Sequence, residues 1–442
     1  MHKDRKEEFR DWVGWFRQAS PYINANRHQM LVLALSGDAL QHENLENIIH
    51  DLALLSSLGV RLVVVFGARP QIDEILSRHA IESRFHKGLR VTDETVLPHV
   101  LEAYGRLRSE MEARLSMGVI NSPMQGARIR VVSGNFVMAR PIGVLDGIDY
   151  GHTGHVRRID GGVIRELCED NAIVLIPAIG YSMSGDIFNL SYEELAAEVA
   201  MNLSADKLVL MGQQNGLRNV HGDEIHELRM EEAEQLMSGL DGQKNTEIVN
   251  QLRACMRVCK QGVTRAHLLS YSRDGALLEE LFTRDGSGTM VSADEYDEIR
   301  PAVLEDVNGI QDLIQPLEEQ GFLIIRSRER LEMELDNFVV DVRDNAVIGC
   351  AALYPFPSVE AGELSCFAVA ESYRREGRGD RLLDVIVERA RHQKLKQLFV
   401  LTTKTEQWFK ERGFEPASAD MLPGEKLYNK DRNARVLVKA LG

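Results

Sequence analysis

Two short apolar runs, 31–35 (LVLAL) and 61–66 (RLVVVF), bracket a stretch in which Leu45, Ile48, Ile49, Leu52 and Leu55 fall at helical spacing. A strand that is apolar on both faces must be covered on both faces. Strand–helix–strand units of this kind therefore predict a parallel sheet between helical layers. The alternation continues with strands predicted at IVLIP from Ile173, KLVLM from Lys207 and HLLS from His267, and helices over 193–203 and 247–259. Residues 1–290 read as one α/β domain, an αβα sandwich with a mostly parallel sheet.

The stretch SADEYDEIRP (292–301) is polar, acidic and closed by a proline, which marks 291–298 as a linker. After it the pattern restarts as an α+β domain over 299–442. Helices are predicted at 306–319 and from about Ser327, and strands at 338–341, 347–353 and 364–369. A glycine-rich turn, a helix over 382–392, a strand at 397–402, a short helix at 407–411 and a strand at 436–439 complete it. A chain of 442 residues fits two or three domains. Its net charge of -15 argues against nucleic acid or an anionic membrane as a partner. Cys168, Cys255, Cys259, Cys350 and Cys366 form neither a zinc pair nor a disulfide framework, so the thiols are expected reduced and no metal is expected. The N-terminus lacks a signal-like apolar run and no stretch reaches the roughly 20 apolar residues of a membrane span, so a cytoplasmic protein is expected.

The strongest local signal is CFAVAESYRREGRGDRLLDVIVERA (366–390), a strand, a polar turn with two glycines and an amphipathic helix. Backbone N–H groups at such a helix N-terminus suit a pyrophosphate. The same pattern also fits an ordinary strand–turn–helix connection. R-x-x-G-x-G at 374–379, with LFVLTT after it, WFKERGF at 408–414 and IRPAVLEDVNGI at 299–310, resembles the GNAT acetyltransferases over about the last 140 residues. The resemblance implies acetyl-CoA as co-substrate, with no permanently bound cofactor. It implies contacts from Phe367, Ala368, Val369, Arg374, Arg375, Glu376, Gly377, Arg378 and Gly379. Acyl transfer needs a base for the amine, polarisation of the thioester carbonyl and departure of the thiolate. Glu363, just before the strand beside acetyl-CoA, is the candidate base, acting directly or through water. A backbone N–H near 367–369 is the polarising group. Where the family often has a tyrosine as general acid, this chain has Phe409. The thiolate then takes its proton from Thr402, Thr403 or water, or leaves unprotonated.

In the first half, SPYINANR, FGARPQI, DYGHTGHV, FNLSYEELAAEVAMNLSADKLVL and GALLEELFTRDGSGTM resemble, in order, segments of the amino acid kinase family, most closely the acetylglutamate kinases. Such a half joined to a GNAT half resembles the bacterial N-acetylglutamate synthase family. The implied reaction is acetyl-CoA plus L-glutamate giving N-acetylglutamate and coenzyme A, the first step toward arginine. The kinase lysines fall on Ala34 and Gln251, and the glycine turns read Ser36-Gly37 and Gly67-Ala68-Arg69-Pro70, so kinase activity is expected lost. Arginine-inhibited relatives imply an allosteric L-arginine site from Tyr22, Lys207, His267, Glu280 and Gly286. Phe9, Trp12, Val13 and Phe16 suit helix pairing between subunits, and the resemblance implies a homohexamer. For glutamate, the resemblance points to Arg326, Arg432 and the position of Cys366; relatives that carry a lysine there and a serine at Ala434 differ from this chain. Two other readings remain open at this point: a working kinase with an acetyltransferase appendage, and a protein acetyltransferase with an amino-acid sensor.

Overall fold

The computed structural model describes residues 2–441 except 118–128, 220–221, 223, 241–246, 293–296, 344–345, 375–376 and 425–433, with only the backbone described at 2–12, 240, 297 and 372. The chain forms two compact units, Met1–Asp294 and Glu295–Gly442.

In the N-terminal unit the elements run α1 (His2–Asn26), β1 (Met30–Leu35), α2 (Leu45–Ser57), β2 (Arg61–Phe66), α3 (Arg69–Arg78), α4 (Leu97–Ser116), β3 (Ala172–Pro177), α5 (Tyr192–Leu203), β4 (Lys207–Gly212), α6 (Glu247–Lys260), β5 (Arg265–Ser270), α7 (Ala276–Phe282) and β6 (Thr289–Ser292). Eight strands lie in the order Glu227–Arg229, β6, β5, β4, β1, β2, β3, Arg130–Val132. Every pair is parallel except β5 with β6. The central strand β1 is buried along its whole length, as its unbroken apolar run requires of a strand covered on both faces. Helix α5 begins where Ser191 caps it, accepting from the Glu194 N–H at 3.3 Å. Between β2 and α5 the chain also builds a mixed four-stranded sheet (Val137–Pro141, Gly154–Ile159, Ile179–Tyr181, Ile187–Asn189), parallel only where Ile179–Tyr181 meets Val137–Pro141. Its strands are short and irregular, with a register shift at Met138/Ala139, so no clean period announced it.

The C-terminal unit contains β7 (Asp297–Pro301), α8 (Val307–Glu319), α9 (Arg328–Met333), β8 (Phe338–Arg343), β9 (Ala346–Phe356), β10 (Ala361–Val369), α10 (Arg378–His392), β11 (Gln397–Thr402), α11 (Glu406–Lys410), β12 (Glu415–Ala417) and β13 (Arg435–Ala440). Its seven strands are ordered β7-β8-β9-β10-β11-β13-β12. One face packs Val339, Ala351, Leu353, Leu364 and Val400 against Leu382, Leu383 and Ile386 of α10. The other packs Phe338, Val340, Cys350, Ala352, Cys366 and Ala368 against α8 and Leu331 of α9. The expected linker 291–298 is narrower than its composition suggested. Ser292 closes β6 and Asp297 opens β7, an edge strand on which Arg300 pairs with Asp306. Charged residues and a terminal proline are what an edge strand tolerates, and by composition they resemble a linker.

Candidate active site

The parallel pairing of β10 with β11 runs from Ala361↔Gln397 to Leu364↔Val400 and stops there, while β11 continues to Thr402 beside β13. From Ser365 to Val369, β10 therefore has β9 on one side and, among the described residues, no strand on the other. Such a parting leaves main-chain N–H groups facing a slot, where a thioester carbonyl can accept from them. A half-buried Phe367 lines it. Phe367 lies 5.2 Å from the Trp408 ring and 5.9 Å from Phe409, which itself meets Phe414 at 5.2 Å. Phe409 is thus locked in an aromatic cluster and has no proton to give.

Within β10 the register against β9 slips between Cys350 and Ala352, and Cys366 sits at φ +47°, a bulge in left-handed backbone that an L-residue adopts only under constraint. The extra residue re-phases the strand. Leu364 and Phe367 face α10, whereas Cys366 and Ala368 face α8. Glu363, opposite Tyr354, and Ser365, opposite Ala352, share that α8 side. Arg326, on the loop between α8 and α9, donates from Nη2 to the Ser365 hydroxyl at 3.1 Å and from Nη1 to the Ile324 carbonyl at 2.9 Å. Its Nε is buried without a hydrogen-bond partner among the described residues, so the guanidinium retains a donor for a ligand. Tyr354 donates to Glu334 at 2.6 Å beside it. Burial raises the Glu334 carboxyl, but the bonds from Tyr354 and Arg330 and the charge of Arg326 outweigh it and hold it low. Burial pushes the Cys366 thiol up to about 11, so this side chain is neutral and inside the core. Tyr354, Ser365 and Glu334 carried no signal in the sequence, because only the pairing of β9 with β10 brings them to Glu363 and Arg326.

The glycine-rich turn differs from expectation in two respects. Helix α10 begins at Arg378, about one turn before the predicted start at 382, so Gly379 belongs to the helix. A Cβ on Gly379 would lie 3.0 Å from the Trp408 ring, so close packing against α11 is what this glycine permits. Arg378, expected to face acetyl-CoA, points inward: it is 1% exposed, lies 3.4 Å from the Asp341 carboxylate and sits under the Tyr373 ring at 5.0 Å. The reason is that residue 378 falls on the helix face that meets β8. Gly377 precedes the helix at φ +70° and no side chain caps it, so the head of the helix suits an anion, although the Asp380 N–H already donates to the Gly377 carbonyl at 3.1 Å. Arg374 is half exposed and donates to the Val369 carbonyl at 3.2 Å. Arg375, Glu376 and Arg432 lie outside the described residues.

Thr402 is a turn-former. Its hydroxyl meets Thr405 Oγ1 at 2.9 Å and accepts from the Thr405 N–H at 3.0 Å, shaping the entry to α11. Thr403 next to it is exposed.

Of the five residues expected to bind arginine, Tyr22 lies on α1, Lys207 opens β4, His267 lies on β5, Glu280 lies on α7 and Gly286 follows α7. Asn26 donates to the Tyr22 and Leu281 carbonyls, each at 2.9 Å, and accepts from Lys207. His267 Nδ1 meets Glu280 at 2.5 Å, and Glu280 also accepts from the Ser287 and Gly288 N–H groups at 2.5 and 3.0 Å. Burial raises the Glu280 carboxyl, but His267 and the two N–H groups more than offset this and lower it to about 2, fixing a negative charge inside the fold. The Nε2 of His267 is buried without a partner among the described residues. Gly286 sits at φ +68°, and a Cβ there would come 2.6 Å from Glu280 Oε2. Gly286→Ala is therefore expected to lower the stability of this unit by at least about 1 kcal/mol, read as a lower thermal midpoint. An unchanged midpoint would show that the loop relaxes freely.

The kinase-type turns are filled by their neighbours. Gln71 donates to the Gly37 carbonyl at 2.7 Å, and the Tyr192 ring lies where a side chain on Gly67 would go. Ala34 is buried in β1, and Gln251, in the other lysine position, donates to the Tyr192 hydroxyl at 3.2 Å. Glu193 and Glu247 stand nearby, both raised by burial. Phosphoryl transfer needs cations at the two lysine positions, and Ala34 and Gln251 supply none.

Comparison with known proteins agrees with this geometry. The amino acid kinase family model matches residues 29–270, and the acetyltransferase (GNAT) family model matches 307–414. An amino-acid acetyltransferase of Pseudomonas syringae pv. tomato is 51% identical over 433 residues, 98% of this chain and all of that one. The structure of N-acetylglutamate synthase from Neisseria gonorrhoeae complexed with coenzyme A and L-arginine matches at TM-score 0.83 and 36% identity, over 97% of this chain and 99% of that one. The same enzyme complexed with coenzyme A and N-acetylglutamate matches at TM-score 0.62 and 38% identity, with the same coverage. With its two family matches in this order and a relative alike along nearly the whole chain, the protein belongs to the bacterial amino-acid acetyltransferases of the N-acetylglutamate synthase type, acyltransferases that join an amino acid kinase-like domain to a GNAT domain.

Proposed function

We propose that this enzyme transfers the acetyl group of acetyl-CoA to the α-amine of L-glutamate, the first step of arginine biosynthesis, and that L-arginine bound in the N-terminal unit inhibits it. The observation that carries the acceptor is the placement of Glu363 and Arg326 on one face of the sheet. Glu363 is two residues from Ser365, the Arg326 partner, a separation of about 7 Å along a strand. That suits an acceptor whose amine meets a carboxylate base while one of its own carboxylates meets a guanidinium. Glu363 takes the amine proton, directly or through water. The nitrogen attacks the thioester carbonyl, whose developing charge accepts from main-chain N–H on β10, and the C–S bond breaks as coenzyme A leaves. Arg432 is the second guanidinium assigned to glutamate.

The arginine reading rests on Glu280, a fixed buried carboxylate suited to a guanidinium, with His267 and Gly286 beside it and Tyr22 and Lys207 joined to the neighbouring Leu281 through Asn26. The domain limits are taken as 1–290 and 299–442, the assembly as a hexamer paired through α1, where Trp15 and Phe16 are exposed at 43% and 48%, and the compartment as cytoplasmic. Free-thiol release from acetyl-CoA should require glutamate and be suppressed by arginine. Glu280→Gln should raise the arginine needed by about 10-fold or more, the worth of one charge-assisted bond, while leaving the uninhibited rate in place. Thiol release that needs a lysine-bearing protein, with free glutamate inert, would overturn the reading.

A further inference from the structure

We infer that His79, His99 and Glu102 form a binding site for a divalent transition metal ion, of the zinc class, on the N-terminal unit, apart from the residues assigned to arginine and from the filled kinase turns. His79 closes the C-terminus of α3, and His99 and Glu102 lie one turn apart on α4, so three ligands come from two elements that pack together. Their ligating atoms all lie within 4.8 Å of one another, and the two imidazoles are stacked, with centroids 4.5 Å apart and planes at 29°. A metal held at about 2.0–2.1 Å from each ligand needs them roughly 3.3 Å apart, a closure that a rotation of the exposed His79 and Glu102 side chains supplies.

The second observation is the state of His99. Its Nδ1 is buried and has no hydrogen-bond partner among the described residues; Glu102 Oε2 stands 3.7 Å away, too far to accept a bond yet close enough to share an ion. Two imidazoles and one carboxylate are a borderline-soft donor set, which suits zinc rather than calcium or magnesium, whose ligands are all oxygen. Cysteine spacing gave no hint of such a site, and histidines 20 positions apart do not form a motif; the packing of α3 on α4 brings them together. An ion here ties the end of α3 to the start of α4 and closes the loop between them.

The test is calorimetric titration of the full chain, first stripped with a chelator, with Zn2+ alone. One ion per chain should bind at this site, with affinity falling at least 10-fold in His99→Ala and in His79→Gln. Zn2+ should also raise the thermal midpoint of the parent protein and not of these variants. Because His79 is exposed, its variant should melt like the parent without metal, which separates loss of a ligand from loss of fold. No binding to the parent, or unchanged binding in both variants, overturns the assignment.

Discussion

Glu363→Ala should lower acetyl transfer to glutamate by about 100-fold or more while leaving coenzyme A binding intact. The carboxylate sits at the last residue but one of the parallel β10–β11 pairing, where the strands are about to part, and faces the α8 side of the sheet. An ammonium is a poor nucleophile, and the reaction waits on removal of its proton. Without a carboxylate at this point that task falls to water. The proposed coenzyme A contacts, the first turn of α10 and the backbone of 365–369, are not touched by the substitution. The measurement pairs thiol-release kinetics with coenzyme A titration of the same variant. Glu363→Gln, which keeps the shape and removes the basicity, should fall by a similar factor. Turnover within a fewfold of the parent in both would remove Glu363 from the mechanism.

The largest stability effect is expected from Asp341→Ala. Asp341 and Arg378 are both buried, with 0% and 2% of their side-chain surfaces exposed, and the guanidinium lies 3.4 Å from the carboxylate. Taking away the carboxylate removes a buried anion from beside a buried guanidinium, at a cost of about 3–5 kcal/mol. For a unit of this size that is roughly 6–20 °C in the midpoint of thermal unfolding. Replacing both residues with leucine should cost clearly less than removing Asp341 alone, because the buried charge leaves with its partner. If Asp341→Ala melts within about 1 kcal/mol of the parent, the pair is not what holds α10 to β8. The position bears on catalysis too, since the N-terminus of α10 is the proposed pyrophosphate site.

What could be seen in the chain beforehand follows the range of the physical signal. The strand at Arg61–Phe66 and the strand at Gln397–Thr402 were read to the residue, because an unbroken apolar run between polar ends leaves little freedom. The helix α10 was placed about a turn late, because Arg378 looked like a loop cation. The mixed sheet around 137–189 has no signal in the sequence, since its strands of three to six residues hold no full period.

By itself the sequence determined the layered α/β half, the restart after residue 290, the glycine-rich turn at the head of an amphipathic helix and the absence of the kinase lysines at Ala34 and Gln251. Each depends on residues close together in the chain or on a single position. The tertiary structure decided which side chains face one another. A one-residue bulge at Cys366 sets Glu363 and Ser365 on the side of Arg326, and no periodicity announces a bulge. Asn26 and Leu281, 255 positions apart, draw α1 and α7 together beside Lys207. In the C-terminal unit the packing of α10 on β8 turns Arg378 away from the glycine-rich turn, because a buried carboxylate on β8 holds its charge.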